Sequence, residues 1–254
     1  MPQISSPIMI ELTIIVPAYN EEKRITPFLT SLLSYISKHP SYEVIVVNDG
    51  SKDKTEEVVR NLIIHNKNQA HLVSYKKNKG KGGAIKTGMR YTQADYILFI
   101  DADGSISPEE IDNMFPLLKK YDVVVGSRRI KGANVKADLI RDVLGWFFNV
   151  YVNMLYGIKI EDNLCGFKGF KKKVMEDLFK KLYTQGWVFD VELFYKIRKK
   201  KYSLYKLPIK WEHREGGNIK FFTPFKMAFD LLILRVKLLS WNLRKNKTKR
   251  TTKN

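Results

Sequence analysis

Short apolar runs alternate with amphipathic stretches along the first half of the chain. The apolar runs are rich in Ile, Val and aromatic residues and predict the β-strands Leu12–Ala18, Glu43–Val47, Leu72–Tyr75, Tyr96–Ile100 and Val123–Val125. The stretches between them have helical spacing and predict helices at Ile25–Lys38, Lys54–Asn66, Gly83–Gln93 and Pro108–Lys120. Such alternation is typical of βαβ units, so we expect a mostly parallel sheet with helices on both faces.

The pattern changes after Gly126. A basic loop is followed by a long aromatic helix, two further helices, a short apolar run and a last amphipathic helix, at Arg128–Lys136, Val143–Ile158, Lys172–Leu182, Asp190–Lys200, Leu204–Ile209 and Phe225–Trp241. The final residues, Arg244–Asn254, are basic without an acidic residue and predict a disordered tail.

The composition is that of a folded, strongly basic protein. Hydrophobic residues make up 44% of the 254, which excludes a disordered chain. Cys165 is the single cysteine, so an intramolecular disulfide is excluded and a reducing compartment is favoured. The net charge of +19 attracts nucleic acid, phosphorylated metabolites or an anionic membrane, and charge alone does not choose among them.

Neither a secretory signal nor a membrane-spanning helix is predicted. Met1–Glu11 lacks a basic start and a long apolar run. Val143–Ile158 and Phe225–Trp241 fall short of the ~20 uncharged apolar residues of a span. One narrow face of the first carries Gly145, Asn149, Asn153 and Tyr156, and its remainder is large and apolar. Such helices fit a membrane interface, especially beside a basic tail, with core helices as the alternative.

Asp101-Ala102-Asp103 follows the most hydrophobic predicted strand. Carboxylates at i and i+2 point to the same side of a strand and repel one another unless a cation or a proton lies between them. Mg²⁺ characteristically takes one or two carboxylates together with diphosphate oxygens. The tripeptide therefore indicates a metal site, with a polar strand end as the alternative.

Three other strand ends carry polar motifs, and together with the first they are more specific than any one alone. Asn48-Asp49-Gly50-Ser51 offers an acid to a base or ribose, or is an ordinary turn. Tyr19 and Glu21 in the segment VPAYNEE could stack on a base and accept a hydroxyl hydrogen bond. Lys79–Gly83 is a glycine-rich basic loop that lets backbone N–H groups approach a phosphate, although it is neither a Walker nor a Rossmann motif.

The order of these motifs resembles glycosyltransferase family 2 with its GT-A fold. The resemblance covers about Leu12 to Asn218 and rests on VPAYNEE, VVNDGS, NKGKGGAIKTGM, FIDADGS, VVGSRR, DNLCGFKGF and GWVFDVELFY. Within the family it is nearest to transferases that use dolichyl phosphate, the β-glucosyltransferases first and the mannosyltransferases as near relatives. It implies a GT-A domain over 1–217, with a nucleotide-binding half of about 12–126 and an acceptor half of about 127–217. We expect a membrane-interface segment at 218–243 and the tail at 244–254.

The resemblance also implies residue roles. For the nucleotide sugar it implies Pro17, Tyr19, Glu21, Asp49, Lys81, Asp101, Ala102 and Asp103, with Lys81 near the diphosphate. Asp101 and Asp103 would hold Mg²⁺ or Mn²⁺, and Arg128, Arg141 and Arg214 would face the acceptor phosphate. Asp103, Arg128 and Arg141 are the residues expected to carry catalysis. The enzyme would be a peripheral or monotopic protein on the cytoplasmic face of a membrane.

Two departures from the family bear on the donor. Asn48 stands where the family often has an aspartate, and Gly104-Ser105 stands where mannosyltransferases commonly have Leu-Gln. Gly-Ser and the segment DNLCGFK resemble the glucosyl branch, so UDP-glucose is the expected donor and GDP-mannose the alternative. A transferase that extends a glycan and a basic nucleic-acid-binding module are the other two hypotheses. The second is disfavoured because Asp101 and Asp103 would repel nucleic-acid phosphates, and no nucleic-acid partner is expected.

Overall fold

A computed structural model of the chain describes residues 9–136, 139–158, 161–162, 164–214 and 223–251. For 136, 139–144, 223–225 and 241–251 it describes the backbone alone. The strands are β1 (Leu12–Ala18), β2 (Tyr42–Asp49), β3 (Ala70–Tyr75), β4 (Tyr96–Ile100), β5 (Val123–Ser127), β6 (Asn134–Lys136), β7 (Phe167–Lys171), β8 (Leu204–Pro208) and β9 (Lys210–Glu212). The helices are α1 (Ile25–Ile36), α2 (Thr55–Ile63), α3 (Lys81–Gly88), α4 (Glu110–Lys120), α5 (Leu139–Tyr156), α6 (Lys172–Phe179), α7 (Phe189–Lys200) and α8 (Thr223–Thr251).

The seven-stranded central sheet has the strand order β3-β2-β1-β4-β7-β5-β8. Its pairs are parallel except where β7 lies antiparallel between β4 and β5. Because β7 runs in the opposite direction, the loop that enters it lies at the edge where the parallel strands end. β6 and β9 form a separate parallel pair.

Helices cover both faces of the sheet, which confirms the predicted fold class. Strand side chains alternate between two buried clusters, so Ile14 packs on the side of α1, α2 and α4 while Ile15 packs on the side of α3 and α5 to α8. The β1 and β2 strands are buried on both faces, and their uninterrupted Ile and Val runs have that cause.

The second half differs in three places from the sequence pattern. The short strands β6 and β9 were not predicted, and β6 lies at the end of the basic loop Arg128–Lys136. The strand β7 was not predicted, because Lys168, Gly169 and Lys171 interrupt its apolar residues. The helix α8 continues to Thr251, through most of the segment for which a disordered tail was expected. Lys and Arg, which make up six of the residues of Arg244–Asn254, have high helix propensities, and the segment has neither Gly nor Pro to end the helix. Within the described parts of the chain, no helix is both long enough and apolar enough to cross a membrane.

Candidate active site

The predicted site residues converge at the carboxyl ends of the parallel strands. Pro17 is the next-to-last residue of β1, and Asp49 is the last residue of β2. Asp101 directly follows β4, and Arg128 directly follows β5. Lys81 begins α3, directly after the glycine-rich loop. Ligands of open α/β sheets bind at this edge, because crossover connections leave a crevice there.

Asp101 and Lys81 form an ion pair at the centre of this edge. The Lys81 Nζ lies 2.5 Å from Asp101 Oδ1. Burial raises the pKa of Asp101; the Lys81 charge opposes this shift, and the charges of Asp103 and Asp190 add to it. The Asp101 carboxylate lies directly against the backbone of Gly166, where a Cβ would overlap it. The carboxylate is therefore held between a lysine and a glycine.

Asp103 lies two residues farther along, on the turn that leads to α4. Its Oδ1 accepts a hydrogen bond of 2.9 Å from the Ser105 backbone N–H, while the intervening Ala102 is buried. Gly104 has φ +72°, a left-handed conformation that glycine adopts without strain. The tight turn keeps Asp103 beside Asp101 instead of directing it along the next helix.

Glu21 adds a third carboxylate to the charge cluster. It is buried, and Arg24 donates to both of its oxygens, with distances of 2.8 Å from Nε and 2.6 Å from Nη2. Burial raises the pKa of Glu21, Arg24 opposes this, and the charges of Asp103 and Asp101 raise it further. The repulsion among these carboxylates shows that they share one electrostatic environment.

The loops after β1 and β2 are joined by hydrogen bonds. The Asn20 N–H donates to Ser51 Oγ at 3.0 Å, and the Glu21 N–H donates to Thr55 Oγ1 at 2.7 Å. Tyr19, the predicted base-stacking residue, is half-buried in this region between Pro17 and Asn20. These hydrogen bonds fix the backbone of Asn20 and Glu21 against the segment after β2.

Asp49 is buried and already bonded within the protein. Its Oδ1 accepts hydrogen bonds of 2.7 Å from the Tyr75 hydroxyl and 2.7 Å from the Lys79 backbone N–H. Asn78 Nδ2 donates to the Asp49 carbonyl at 3.0 Å. Asp49 thus fixes the start of the glycine-rich loop that carries Lys81.

Arg128 is held by a buried aspartate. Its Nε and Nη2 each lie 2.8 Å from an oxygen of Asp162, and its backbone N–H donates to Asp162 Oδ2 at 2.9 Å. Its guanidinium also lies 5.2 Å from the centre of the Trp211 ring. Burial by itself raises the pKa of Asp162, but the hydrogen bonds and charge of Arg128 lower it below its ordinary value. A guanidinium has five N–H donors, so this pairing leaves others for a phosphate.

Arg141 and Arg214 are the other two arginines that were predicted to face the acceptor phosphate. Arg141 lies in the first turn of α5, and its side chain is outside the described residues. Arg214 is exposed, and its Nη2 pairs with Glu212 at 3.2 Å. The Glu212 N–H donates to the carbonyl of Ser105 at 3.0 Å, which brings this segment near Asp103. The rest of the predicted closing loop, 215–218, is outside the described residues.

Two carboxylates of α7 that could act as general bases are paired with lysines. Asp190 Oδ1 lies 2.8 Å from the Nζ of Lys168, and these side chains are only 3% and 1% exposed. Glu192 lies 2.6 Å from the Nζ of Lys196 and accepts backbone N–H groups from Tyr183 and Thr184. The Lys168–Asp190 pair ties α7 to β7, and the backbone N–H groups of Tyr183 and Thr184 tie Glu192 to the segment before α7.

The donor set fits a divalent cation that also binds its substrate. Among the described residues, no three His, Cys, Asp or Glu side chains are arranged to hold a metal by themselves. Asp101 and Asp103 supply two carboxylates that repel one another, and a cation between them would relieve this repulsion. Mg²⁺-type ions often take one or two carboxylates and complete their shell with substrate phosphates and water.

Comparison with known proteins then decides the family. The family model described as glycosyl transferase family 2 matches residues 13–179, which include β1 to β7 and the paired carboxylates. The chain belongs to glycosyl transferase family 2. Asp101, Asp103, Lys81 and Arg128 all lie inside the matched region.

Curated relatives in the family align with more than nine-tenths of the chain, which spans about three-quarters of their own length. A dolichyl-phosphate beta-glucosyltransferase of Trichomonas vaginalis is 34% identical over 250 residues, which cover 92% of this chain and 74% of the relative. The human protein of the same name is 32% identical over 252 residues, with 92% and 78% covered. The yeast protein, from Saccharomyces cerevisiae, is 31% identical over 259 residues, with 93% and 77% covered.

Solved structures share the fold of this family 2 enzyme at lower identity. Glucosyl-3-phosphoglycerate synthase from Mycobacterium tuberculosis, in complex with Mn²⁺, UDP and glucosyl-3-phosphoglycerate, has a TM-score of 0.65 and 18% identity, covering 89% of this chain and 79% of that one. A mannosyltransferase from Pyrobaculum calidifontis, in complex with GDP-mannose and Mn²⁺, has a TM-score of 0.58 and 22% identity, covering 83% and 58%. The predicted GT-A architecture is thereby confirmed.

Three residues at the site were not singled out by sequence reasoning. Gly166 contacts the Asp101 carboxylate, Asp162 holds Arg128, and Lys168 neutralises Asp190. All three lie in the segment DNLCGFKGF, which was recognised only as part of the family pattern. Cys165 in the same segment is buried, and burial raises the pKa of its thiol to about 12, as is typical of a structural cysteine.

Proposed function

We propose that this enzyme transfers a hexose from a nucleotide sugar to a polyprenyl (dolichyl) phosphate, with UDP-glucose as the donor and a β-linked lipid-phosphate sugar as the product. The proposal extends the names of the relatives that are 31–34% identical over more than nine-tenths of the chain. The observation that carries it is the ion pair of Lys81 with Asp101 at the sheet edge, next to Asp103 and to Arg128, whose guanidinium is held by Asp162.

The roles of the site residues follow from their positions. Asp101 and Asp103 would hold a divalent cation, Mg²⁺ or Mn²⁺, which when bound supplies positive charge to the diphosphate leaving group. Lys81, which pairs with Asp101, would add a second positive charge near the diphosphate. Pro17, Tyr19, Glu21 and Asp49 would form the nucleoside end, because they lie on the two joined loops after β1 and β2.

The acceptor needs positioning more than deprotonation. A phosphate monoester carries ~1.5–2 negative charges at neutral pH, so its oxygen is already a nucleophile. We assign acceptor binding to Arg128, Arg141 and Arg214. Asp162 orients the Arg128 fork through two 2.8 Å hydrogen bonds, which favours paired contacts to phosphate oxygens. In-line attack at the anomeric carbon would invert its configuration.

A general base is not required by this scheme. Asp190 and Glu192 are both nearly fully buried and ion-paired with Lys168 and Lys196, so neither is poised to take a proton from a sugar hydroxyl. This arrangement favours a phosphate acceptor over the hydroxyl acceptor of a glycan-extending transferase.

The apolar surface of α5 and α8 supports a membrane as the place of reaction. In α5 the polar face is turned inward: Asn149 is buried and donates to the Glu161 carbonyl at 2.9 Å. Its large apolar side chains point outward, with Trp146 and Met154 exposed by 54% and 74%. The exposed apolar residues of α8 are Phe229, Leu232, Ile233, Val236 and Leu239. An amphipathic surface with this polarity fits the headgroup region of a bilayer on its cytoplasmic face.

A donor and acceptor screen tests the reaction. Labelled UDP-glucose and GDP-mannose would be offered with Mn²⁺ and either polyprenyl phosphate or a free sugar acceptor, and the lipid products separated. Glucose on polyprenyl phosphate is the expected product. A mannose-linked lipid formed from GDP-mannose would show that GDP-mannose is the donor instead. Transfer only to the free sugar would refute polyprenyl phosphate as the acceptor.

A liposome assay tests the membrane surface. Met154→Glu should weaken cosedimentation with anionic liposomes because it places a charge among exposed apolar side chains. Ile64→Glu is the matched control, since Ile64 is also exposed but belongs to the end of α2 on the other face. Equal binding of the two variants would contradict the assignment of this surface.

A further inference from the structure

The Lys81 ammonium lies where a divalent cation would need to bind. Its Nζ contacts Asp101 Oδ1 at 2.5 Å, and the Lys81 side chain is only 15% exposed. On its other side the Asp101 carboxylate meets the Gly166 backbone and has no room to retreat. A lysine and a metal ion therefore compete for the same carboxylate.

We propose that Lys81 is the resident counter-ion of the metal site and that it leaves Asp101 when metal and nucleotide diphosphate bind together. The metal and the nucleotide then bind cooperatively, and the metal alone binds weakly. This inference rests on the proposed function only in taking a diphosphate as the ligand of the site.

The balance of charge gives the physical reason. Three pairs cancel in the cluster: Lys81 with Asp101, Arg24 with Glu21, and Lys168 with Asp190. Asp103 then leaves one net negative charge among these described residues. A divalent ion alone would make the cluster positive, and a diphosphate alone would make it more negative. Only the two together return it to about its resting charge, so each favours the binding of the other.

The structure also indicates where Lys81 can go. The negative charges of both Asp101 and Asp190 act on Lys81. Asp190 is already bonded to the Nζ of Lys168 at 2.8 Å, so it can stabilise a displaced lysine only from a distance. A diphosphate near the N-terminus of α3, which begins at Lys81, is the stronger new partner, while the Gly82 N–H there donates to the Gln185 carbonyl at 2.9 Å.

Binding of Mn²⁺ to the full-length protein, measured from the free-ion signal in electron paramagnetic resonance, tests this inference. The wild-type protein should bind Mn²⁺ at least about tenfold more tightly in the presence of UDP than in its absence. Lys81→Met should bind Mn²⁺ alone about tenfold more tightly than the wild type, and UDP should then add less. Lys81→Arg keeps the charge and should keep the weak affinity. Lys77→Met, an exposed lysine near the same loop, removes an equal charge and should behave as the wild type.

Two results would overturn the inference: equal Mn²⁺ affinity of the wild type with and without nucleotide, or unchanged Mn²⁺ affinity in a folded Lys81→Met. The wild-type comparison needs no variant, so misfolding of one variant does not remove the test. The titrations with Mn²⁺ alone contain neither donor nor acceptor, so they are independent of the transfer reaction. GDP in place of UDP extends the test to the other donor, and failure of the proposed function would instead appear as absent glucose transfer in the product assay.

Discussion

Gly166→Ala tests whether the position of Asp101 is essential, through a single methyl group. Gly166 lies beside Asp101 because β4 and β7 pair as antiparallel neighbours, with Ile100 opposite Phe167. The Asp101 N–H donates to the Gly166 carbonyl at 3.2 Å. A Cβ at Gly166 would lie 2.7 Å from Asp101 Oδ1 and nearer still to the other two carboxyl atoms. The Asp101 carboxylate must move, because the backbones of Asp101 and Gly166 adjoin the paired residues Ile100 and Phe167 of the sheet.

The size of the effect follows from that overlap. Ordinary contact requires the carboxylate to retreat by about 1.7 Å, because its nearer oxygen would lie 1.8 Å from the Cβ and non-bonded heavy atoms rest at roughly 3.5–4.0 Å. A displacement of that size at a reacting centre costs roughly 10²-fold in rate. The overpacking itself should lower the free energy of unfolding by about 1–3 kcal/mol. We therefore expect a folded but nearly inactive enzyme whose residual activity needs more Mn²⁺.

The assay combines transfer kinetics over a range of Mn²⁺ concentrations with thermal unfolding. Gly169→Ala is the control for stability. Gly169 lies within β7, three residues after Gly166, and its Cβ would meet Leu118 Cδ1 at 2.6 Å, away from the site. It should destabilise the fold and keep its activity below the unfolding temperature. Gly186→Ala, which has open space around it, should change neither property. Wild-type turnover and Mn²⁺ dependence in Gly166→Ala would refute the reasoning.

Three further predictions concern charge. Asp103→Ala should abolish transfer while the unfolding temperature changes little; full turnover in excess EDTA would contradict the metal site. Asp162→Asn should lower the free energy of unfolding by about 1–3 kcal/mol at pH 7, because Arg128 loses its ionised partner. The pKa of Asp162 is lowered by folding, so this difference should be present above its unfolded value of about 3.9 and shrink as pH falls below it; a pH-independent difference in urea midpoints would contradict this. Asp190→Asn and Glu192→Gln should keep the wild-type pH–rate profile, and a collapsed rate with loss of the acidic limb in soluble protein would mean that a base is required.

The sequence was sufficient to predict the first half of the fold and the contents of its edge. Buried parallel strands need long apolar runs, and turns between strand and helix need particular residues, so both leave local signals. Asp101 and Asp103 were recognised because they directly follow such a strand. Their partner Lys81 was predicted near a diphosphate, but its ion pair with Asp101 joins residues twenty apart that no local pattern relates.

The second half was harder to predict because its signals are not local. β7 has two lysines among five residues, and Lys168 is buried only because Asp190, on a distant helix, neutralises it. A pattern based on hydrophobicity assigns such a lysine to the surface. The insertion of an antiparallel strand between β4 and β5 also depends on pairing, which single-residue preferences do not determine. The partners Asp162 and Gly166 were missed for the same reason.

The inverted polarity of α5 connects the apolar surface to the ionic site. Gly145 lies where a Cβ would be 3.0 Å from the Arg129 guanidinium, and Asn149 donates to the carbonyl of Glu161, next to Asp162. The inward face of the helix therefore borders the segment that fixes Arg128, while Trp146 and its apolar neighbours point away from the protein. A wheel drawn from sequence identifies these two faces but not which one is buried, because a core helix has the same composition. The buried Asn149 and the exposed Trp146 decide the question: the polar face lies inside, toward the segment that fixes Arg128.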